Sequence, residues 1–134
     1  MKLSLSIRAL SIYGLLAVAF ILSRLLSSSP QERPPHHMAA KTQIAAFMTA
    51  LDAFKKDNGF YPRQADGLTA LIRAPLWTTN WQGPYLMTES AIPPDPWGTP
   101  YQYVCPGVHN NSSYDIISAG PDRKFQTPDD IGNW

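Results

Sequence analysis

The chain has 134 residues, a formal net charge of +1 and a single cysteine. That length suits one domain of ordinary size, the near-neutral charge offers no basic surface for nucleic acid, and one cysteine excludes an internal disulfide. Thirteen prolines and eight glycines indicate a loop-rich second half.

Residues 1–29 are predicted to form a membrane anchor. Residues 9–23 carry no charge and lie between Arg8 and Arg24. A helix of that length is about 22 Å long, so crossing a hydrocarbon core of roughly 30 Å requires Arg24 to snorkel and the following leucines to be included. A cleaved signal peptide is the alternative, but the "LLSSS" after the apolar run is a poor cleavage site. With positive charges at Lys2 and Arg8, we expect a single pass with the rest of the chain outside the cytoplasm.

A linker and a long helix are predicted next. Residues 30–37 contain three prolines and no apolar period, which is typical of a linker. His36 and His37 have no further metal ligands spaced nearby, so we interpret them as part of this linker. From Met38 the pattern becomes helical, and the helix is predicted to end at Gly59. The apolar residues that share its predicted buried face are Ile44, Phe47, Met48, Leu51 and Phe54.

The second half predicts a short helix and a β-hairpin. Within residues 67–75 the helix is predicted to end before Pro75, with Asp66 as its cap. Residues 100–104 and 112–118 are predicted to be antiparallel strands joined by a loop. A long helix laid against a small antiparallel sheet is an α+β arrangement. A domain of this size must bury large side chains, so the tryptophans are expected in the core: Trp77, Trp81, Trp97 and Trp134.

Three aspartates, Asp122, Asp129 and Asp130, lie in the irregular C-terminal segment. Like charges held close together need a cation, a basic neighbour or open water. Oxygen ligands on an irregular loop are what Ca²⁺ prefers. A solvated turn, paired on the surface with Arg123 and Lys124, is the alternative that spacing leaves open.

No catalytic constellation occurs in the sequence. It contains no nucleophile elbow, no phosphate-binding glycine loop and no H-E-x-x-H motif. Asp95 and Asp115 could be read as a carboxylate pair, but a turn-forming role for Asp95 before a proline is simpler. We therefore expect that the protein is not an enzyme.

Several motifs occur in a fixed order: "ALDAFKKDNGFYP", "GLTALIRAP", "GPYL", "PPDPWGTPYQY" and "DDIGNW". Together they resemble the major pseudopilins of type II secretion systems, the protein G family, over roughly residues 39–134. The resemblance implies a pilin-like domain at residues 38–134, in the periplasm and anchored in a bacterial inner membrane. It also implies a structural subunit or modulator of a secretion filament that takes part in protein export. Its partners would be other pseudopilins, inner-membrane secretion components and copies of itself.

The resemblance further implies bound Ca²⁺ in the C-terminal loop. The ligands it implies are Asp122 and Asp129, with Asp130 contributing, and backbone carbonyls near Ala119 and Lys124. The ion would offset the repulsion among the aspartates and pin the loop onto the sheet.

The N-terminal part departs from the family pattern. The Gly-Phe-Thr-Leu-x-Glu processing motif does not occur, and no acidic residue precedes Glu32. Pro30, Pro34 and Pro35 would also interrupt a continuous helix from membrane to domain. A second expectation is therefore a solitary membrane-anchored periplasmic binding domain that does not polymerise.

Overall fold

The computed structural model of the protein describes residues 35–88 and 90–134. Its elements in chain order are helix α1 at His36–Asn58, a 3-10 helix at Gly67–Leu71, and strands β1 at Gln102–Val104, β2 at Asp115–Ser118 and β3 at Ile131–Gly132. The predicted membrane anchor and residues 30–34 of the predicted linker lie outside the described residues. Within those residues, no helix is both long and apolar enough to cross a membrane.

Helix α1 buries one face, as the apolar spacing predicted. The buried residues of that face are Ala40, Ile44, Phe47, Ala50, Leu51 and Phe54. Met48, expected on the same face, is only half-buried. Gly59 ends the helix as predicted: its φ is 85°, and its N–H donates to the Lys55 carbonyl at 2.7 Å. Glycine adopts this left-handed conformation without the steric cost that a Cβ would bring.

The start of α1 corrects the predicted linker. The helix begins at His36 rather than at Met38, after Pro35 in an extended conformation with ψ of 140°. His36 and His37 therefore lie in the first helical turn. The ring of His36 packs edge-on against Trp97, with centroids 5.7 Å apart. This contact between distant parts of the chain gives the first turn a partner that local spacing could not reveal.

The sheet has three antiparallel strands in the order β1-β2-β3. Gln102 pairs with Ile117 and Val104 with Asp115, which confirms the predicted hairpin with shorter strands. The third strand was not predicted, because two residues at the end of a Gly- and Pro-containing segment carry no alternating pattern. It adds to the open edge of β2, where Ser118 pairs with Ile131.

The core lies between α1 and the sheet, and tyrosines supply much of it. Tyr101, Tyr103 and Tyr114 are buried. Phe47 on α1 packs edge-on against Tyr101, with centroids 5.0 Å apart and planes at 77°. The Tyr103 hydroxyl donates to the Pro62 carbonyl at 2.9 Å, which satisfies a polar group inside the core. Burial raises the pKa of all three tyrosines. A helix packed on an antiparallel sheet confirms the α+β prediction.

The predicted second helix is shorter and tighter than expected. It is a 3-10 helix that ends at Leu71, and Asp66 makes no side-chain cap. The Asp66 carboxylate instead accepts a hydrogen bond from Trp77 Nε1 at 2.8 Å. Trp81 Nε1 donates to the Ala70 carbonyl at 2.9 Å. The loop after the 3-10 helix is therefore held by its tryptophans, and both pack against the core as predicted.

Candidate metal centre

Residues 119–130 form the loop that joins β2 to β3. Its two ends meet where Ser118 pairs with Ile131. Gly120 has a φ of 67°, and a Cβ placed there would lie 2.3 Å from the backbone oxygen of Asp129. Because glycine has no Cβ, the backbone at Gly120 can lie this close to Asp129, and the start of the loop meets its end.

The three predicted calcium-binding aspartates accept hydrogen bonds from the loop's own backbone. Asp122 Oδ1 accepts from the N–H of Lys124 at 2.8 Å, and Asp130 Oδ2 accepts from the N–H of Gln126 at 2.8 Å. Asp129 Oδ2 accepts from the N–H of Asp122 at 3.2 Å, which links these two residues across the loop. Most of the segment is exposed and buries little apolar surface. These hydrogen bonds to the carboxylates are therefore what holds its shape.

Thr127 lies at the centre of an oxygen-rich cluster. Its Oγ1 is 2.6 Å from Asp129 Oδ1, 3.1 Å from the Lys124 carbonyl oxygen and 3.5 Å from Asp130 Oδ1. A hydroxyl has one hydrogen, so it can donate to only one of these three acceptors at a time. The Thr127 hydroxyl is also the main cause of a lowered pKa at Asp129. The cluster therefore has more oxygen lone pairs than hydrogens to meet them.

This surplus of acceptors fits a hard cation such as Ca²⁺, which takes six to eight oxygen ligands. Among the described residues, no group of three or more His, Cys, Asp or Glu side chains is arranged to hold a metal. A Ca²⁺ site here would therefore need backbone carbonyls as well, which is usual for this ion. The carbonyl of Lys124 already lies beside Thr127. Ala119, whose carbonyl is the other predicted backbone ligand, is fully buried at the start of the loop. The calcium assignment stays a prediction.

Basic residues of the loop do not neutralise the cluster. In the described part of the chain, the one contact within ion-pair distance is between His109 Nδ1 and Asp115 Oδ2 at 3.4 Å, so neither Arg123 nor Lys124 pairs with the three loop aspartates. Arg123 itself has a φ of 60°, and Gln126 one of 68°, which is uncommon for residues with a Cβ. The structure shows no pairing with Arg123 or Lys124, and the solvated turn stays the alternative to a calcium site.

Comparison with known proteins identifies the family of this chain. The chain matches the family model described as "Type II secretion system (T2SS), protein G" over residues 29–134. It belongs to this family. Type II secretion system core protein G of Escherichia coli strain K12 is 42% identical over 100 residues, which cover 71% of this chain and 65% of that protein. The corresponding protein of Pseudomonas aeruginosa is 37% identical over 129 residues, covering 92% of this chain and 85% of its own length.

A solved structure supports the same assignment. The major pseudopilin from the type 2 secretion system of enterohaemorrhagic Escherichia coli superposes with a TM-score of 0.64 at 35% sequence identity. The match covers 74% of this chain and 86% of that one. At this identity the likeness concerns sequence as well as fold. This chain spans about two thirds of the length of the K12 relative, at 65%, and more of the Pseudomonas relative.

One motif of this protein G family member, "PPDPWGTPYQY", forms a turn that leads into β1. Asp95 is buried, and its Oδ1 accepts hydrogen bonds from the N–H groups of Trp97 at 3.1 Å and Thr99 at 2.8 Å. This confirms the turn-forming role expected from an aspartate before a proline. Its other oxygen, Oδ2, accepts from the Ser118 hydroxyl at 2.6 Å. Sequence reasoning missed this partner, which lies in another element.

Asp115 is a second buried aspartate with different partners. Its Oδ2 accepts from the N–H groups of Val108 and His109 at 2.7 and 2.8 Å, and its Oδ1 accepts from the N–H of Asn110 at 2.9 Å. Burial by itself would raise the pKa of Asp115, but the N–H donors of His109, Asn110 and Val108 outweigh it, so the pKa is lowered. This carboxylate shapes the β1–β2 loop and is not paired with the aspartate of the preceding turn.

The C-terminal tryptophan departs from the prediction. Trp134 is 53% exposed rather than part of the core. Its ring stacks on His109, with centroids 3.7 Å apart and planes at 6°. A Cβ at Gly132 would lie 2.3 Å from the Trp134 ring, so the glycine allows the chain end to fold back. The stack joins the end of β3 to the β1–β2 loop.

Proposed function

We propose that this protein is a pseudopilin, a structural subunit of a type II secretion filament that takes part in protein export. The observation that carries the proposal is the family match over residues 29–134, with a fold shared at 35% identity with a major pseudopilin. The matched family and structure are named as a secretion-system protein and a pseudopilin, not as enzymes. Its partners would be copies of itself, other pseudopilins and inner-membrane components of the secretion system.

Filament formation can be tested by shearing. The full-length chain, carrying an affinity tag, replaces protein G in a bacterium with a working type II secretion system. Filaments sheared from cells that overproduce the system should contain the chain, and secretion should be restored. The same cells with the chain omitted serve as the control. A chain found only as a monomer in the membrane fraction would favour the solitary binding domain instead.

The proposal includes an anchor at residues 1–29 in the inner membrane and a periplasmic domain at residues 38–134. It is supported by the uncharged run at residues 9–23 and the positive charges before it. Carbonate washing should leave the full-length protein in the membrane pellet. Release into the wash, or a mature mass that begins near Pro30, would show a cleaved signal peptide.

We also propose that the loop at residues 119–130 binds Ca²⁺. The carboxylates of Asp122, Asp129 and Asp130 would hold the ion together with the carbonyls of Ala119 and Lys124. The support is the surplus of oxygen acceptors around the Thr127 hydroxyl. The ion would supply the positive charge that the cluster lacks and would link both ends of the loop.

Thermal unfolding of the full-length chain tests this assignment. Binding to the folded state alone adds about 2.7 kcal/mol at roughly a hundredfold excess of ion over its dissociation constant. That should raise the midpoint by roughly 10 °C or more in calcium relative to chelator. Asp122→Ala should lose this increment, whereas Asp52→Ala, which changes an exposed aspartate on α1, should keep it. Equal midpoints in calcium and chelator for the unmodified chain would contradict calcium binding.

A further inference from the structure

Asp95 and Ser118 form a buried pair that the proposed ligand set does not include. Asp95 is 3% exposed and Ser118 is fully buried. The Ser118 hydroxyl donates to Asp95 Oδ2 at 2.6 Å. A carboxylate only accepts, so the hydroxyl hydrogen must point toward Asp95. Burying an ionisable group is costly, which makes the position of this pair informative.

The second hydrogen bond of the Ser118 hydroxyl reaches the loop at residues 119–130. Its Oγ accepts from the N–H of Gly120 at 3.2 Å. Asp95 therefore fixes the hydrogen of the Ser118 hydroxyl, and the free lone pairs of Oγ face the Gly120 N–H. Through Ser118, the Asp95 carboxylate thus sets the orientation of the peptide group between Ala119 and Gly120.

The orientation of that peptide group determines where a predicted ligand points. The peptide bond between Ala119 and Gly120 is not among the cis bonds of the described residues. In a trans peptide, the C=O points opposite to the N–H of the following residue. Because the Gly120 N–H points inward to Ser118, the Ala119 carbonyl must point away from the buried pair.

The same peptide lies beside another predicted ligand. A Cβ at Gly120 would be 2.3 Å from the Asp129 backbone oxygen and 3.2 Å from Asp129 Oδ2. Ser118 also pairs with Ile131, the residue directly after Asp130. The buried pair therefore acts where the two ends of the loop meet, next to the aspartates.

We propose that Asp95 and Ser118 are positioning residues for the proposed Ca²⁺ site: by holding the Gly120 N–H they set the direction of the Ala119 carbonyl, and they are not themselves among the proposed ligands. This inference rests on the proposed calcium site. It also gives the buried aspartate of "PPDPWGTPYQY" a second role. Through Trp97, whose N–H binds Asp95 and whose ring packs on His36, the loop is tied to the first turn of α1.

Two substitutions separate positioning from general stability. Ser118→Ala removes the hydroxyl, and Asp95→Asn keeps the side-chain size but turns an acceptor into a donor. The amide of the new side chain would donate to Ser118 Oγ, so the Ser118 hydroxyl hydrogen would lose the acceptor that fixes its direction. Asp115→Asn is the matched control, since it also removes one buried carboxylate charge but does not contact Ser118.

The measurement is calcium affinity of the full-length chain by titration calorimetry, with thermal midpoints in calcium and in chelator. Ser118→Ala and Asp95→Asn should weaken calcium binding by about 10-fold to 100-fold, as for other groups that orient metal ligands. Their calcium-dependent rise in midpoint should shrink accordingly. Asp115→Asn should lower the midpoint in both conditions and keep the calcium-dependent rise. Ser118→Thr, which keeps the hydroxyl, should recover part of the lost affinity if the variant folds.

The outcomes distinguish this inference from the proposals on which it rests. If the unmodified chain binds calcium, Asp122→Ala does not, and both positioning variants bind like the unmodified chain, the positioning role is overturned alone. A loss of stability that is equal in calcium and chelator, with unchanged affinity, would also overturn the positioning role alone. If the unmodified chain does not bind calcium, the calcium site and the positioning role fall together, while the filament proposal stands on its own test.

Discussion

Two regions of this molecule are ordered by different interactions. Helix α1 and strands β1 and β2 bury apolar side chains against one another, with Phe47, Leu51 and Ile116 at most 1% exposed. The loop at residues 119–130 is mostly exposed, and hydrogen bonds from its own backbone to its carboxylates give it shape. Apolar burial does not require a bound cation, whereas a cluster of negatively charged acceptors is stabilised by one. The core contacts should therefore contribute equally with and without calcium, and the loop should not.

The largest expected effect is in the core. Phe47→Ala removes a fully buried ring that packs on Tyr101, so the free energy of unfolding should fall by about 3–5 kcal/mol. The loss should be the same in calcium and in chelator when measured by urea unfolding. Thr49→Ala, at an exposed position of the same helix, should change stability by about 0.5 kcal/mol or less. A loss that depends on calcium would mean that the core and the loop are not separable.

A smaller effect, confined to calcium, is expected in the loop. In Gly120→Ala the new Cβ meets the Asp129 backbone oxygen, so the ends of the loop should separate and the calcium-dependent stabilisation of about 2.7 kcal/mol should disappear. Gly59→Ala is the matched control, because Gly59 also has a positive φ, of 85°, but no atom lies within 4 Å of its Cβ position. It should lower stability by the same amount with and without calcium. If both variants respond alike, backbone strain explains the loss at Gly120 and loop closure does not.

The core was the predictable region because its signals are local. The apolar spacing through Phe54 and the glycine at residue 59 predicted the body and the end of α1, since both follow from the helical repeat and from backbone conformation. The hairpin pairing was also predicted from alternation and turn residues. The start of α1 was missed, because His36 is held by Trp97, a residue that only the folded chain brings near.

The loop was predictable only in composition. The three aspartates suggested an oxygen site, but nothing in their spacing identified Thr127 as the hydroxyl they share. The bond between Asp95 and Ser118 joins residues 23 positions apart, and no sequence period connects them. Strand β3 is too short for a pattern of its own and forms because β2 offers it an edge. Where order comes from hydrogen bonds between distant residues, the sequence names the participants but not the pairs.

The smallest expected effect is on the pH dependence of the free energy of unfolding, which again differs between the two regions. The N–H donors around buried Asp115 lower its pKa below the ordinary value of 3.8, so its contribution to stability is complete above that value and is lost as pH falls through the lower folded value. Urea unfolding in chelator, from about pH 6 to about pH 3, should show this loss. Asp115→Asn should cost roughly 1–3 kcal/mol at neutral pH, because its amide cannot accept as a carboxylate does.

Asp115→Asn should then lose less stability than the unmodified chain on acidification, because the carboxyl group that titrates is gone. Asp129→Asn is the matching variant in the loop, measured in the same way. The pKa of Asp129 is also lowered, chiefly by the Thr127 hydroxyl, but this carboxylate lies in the exposed segment. Removing it should leave most of the acid sensitivity in chelator and should abolish the response to calcium. If Asp129→Asn flattened the acid profile as much as Asp115→Asn, the loop would contribute to stability without its ion, and the contrast between the two regions would fail.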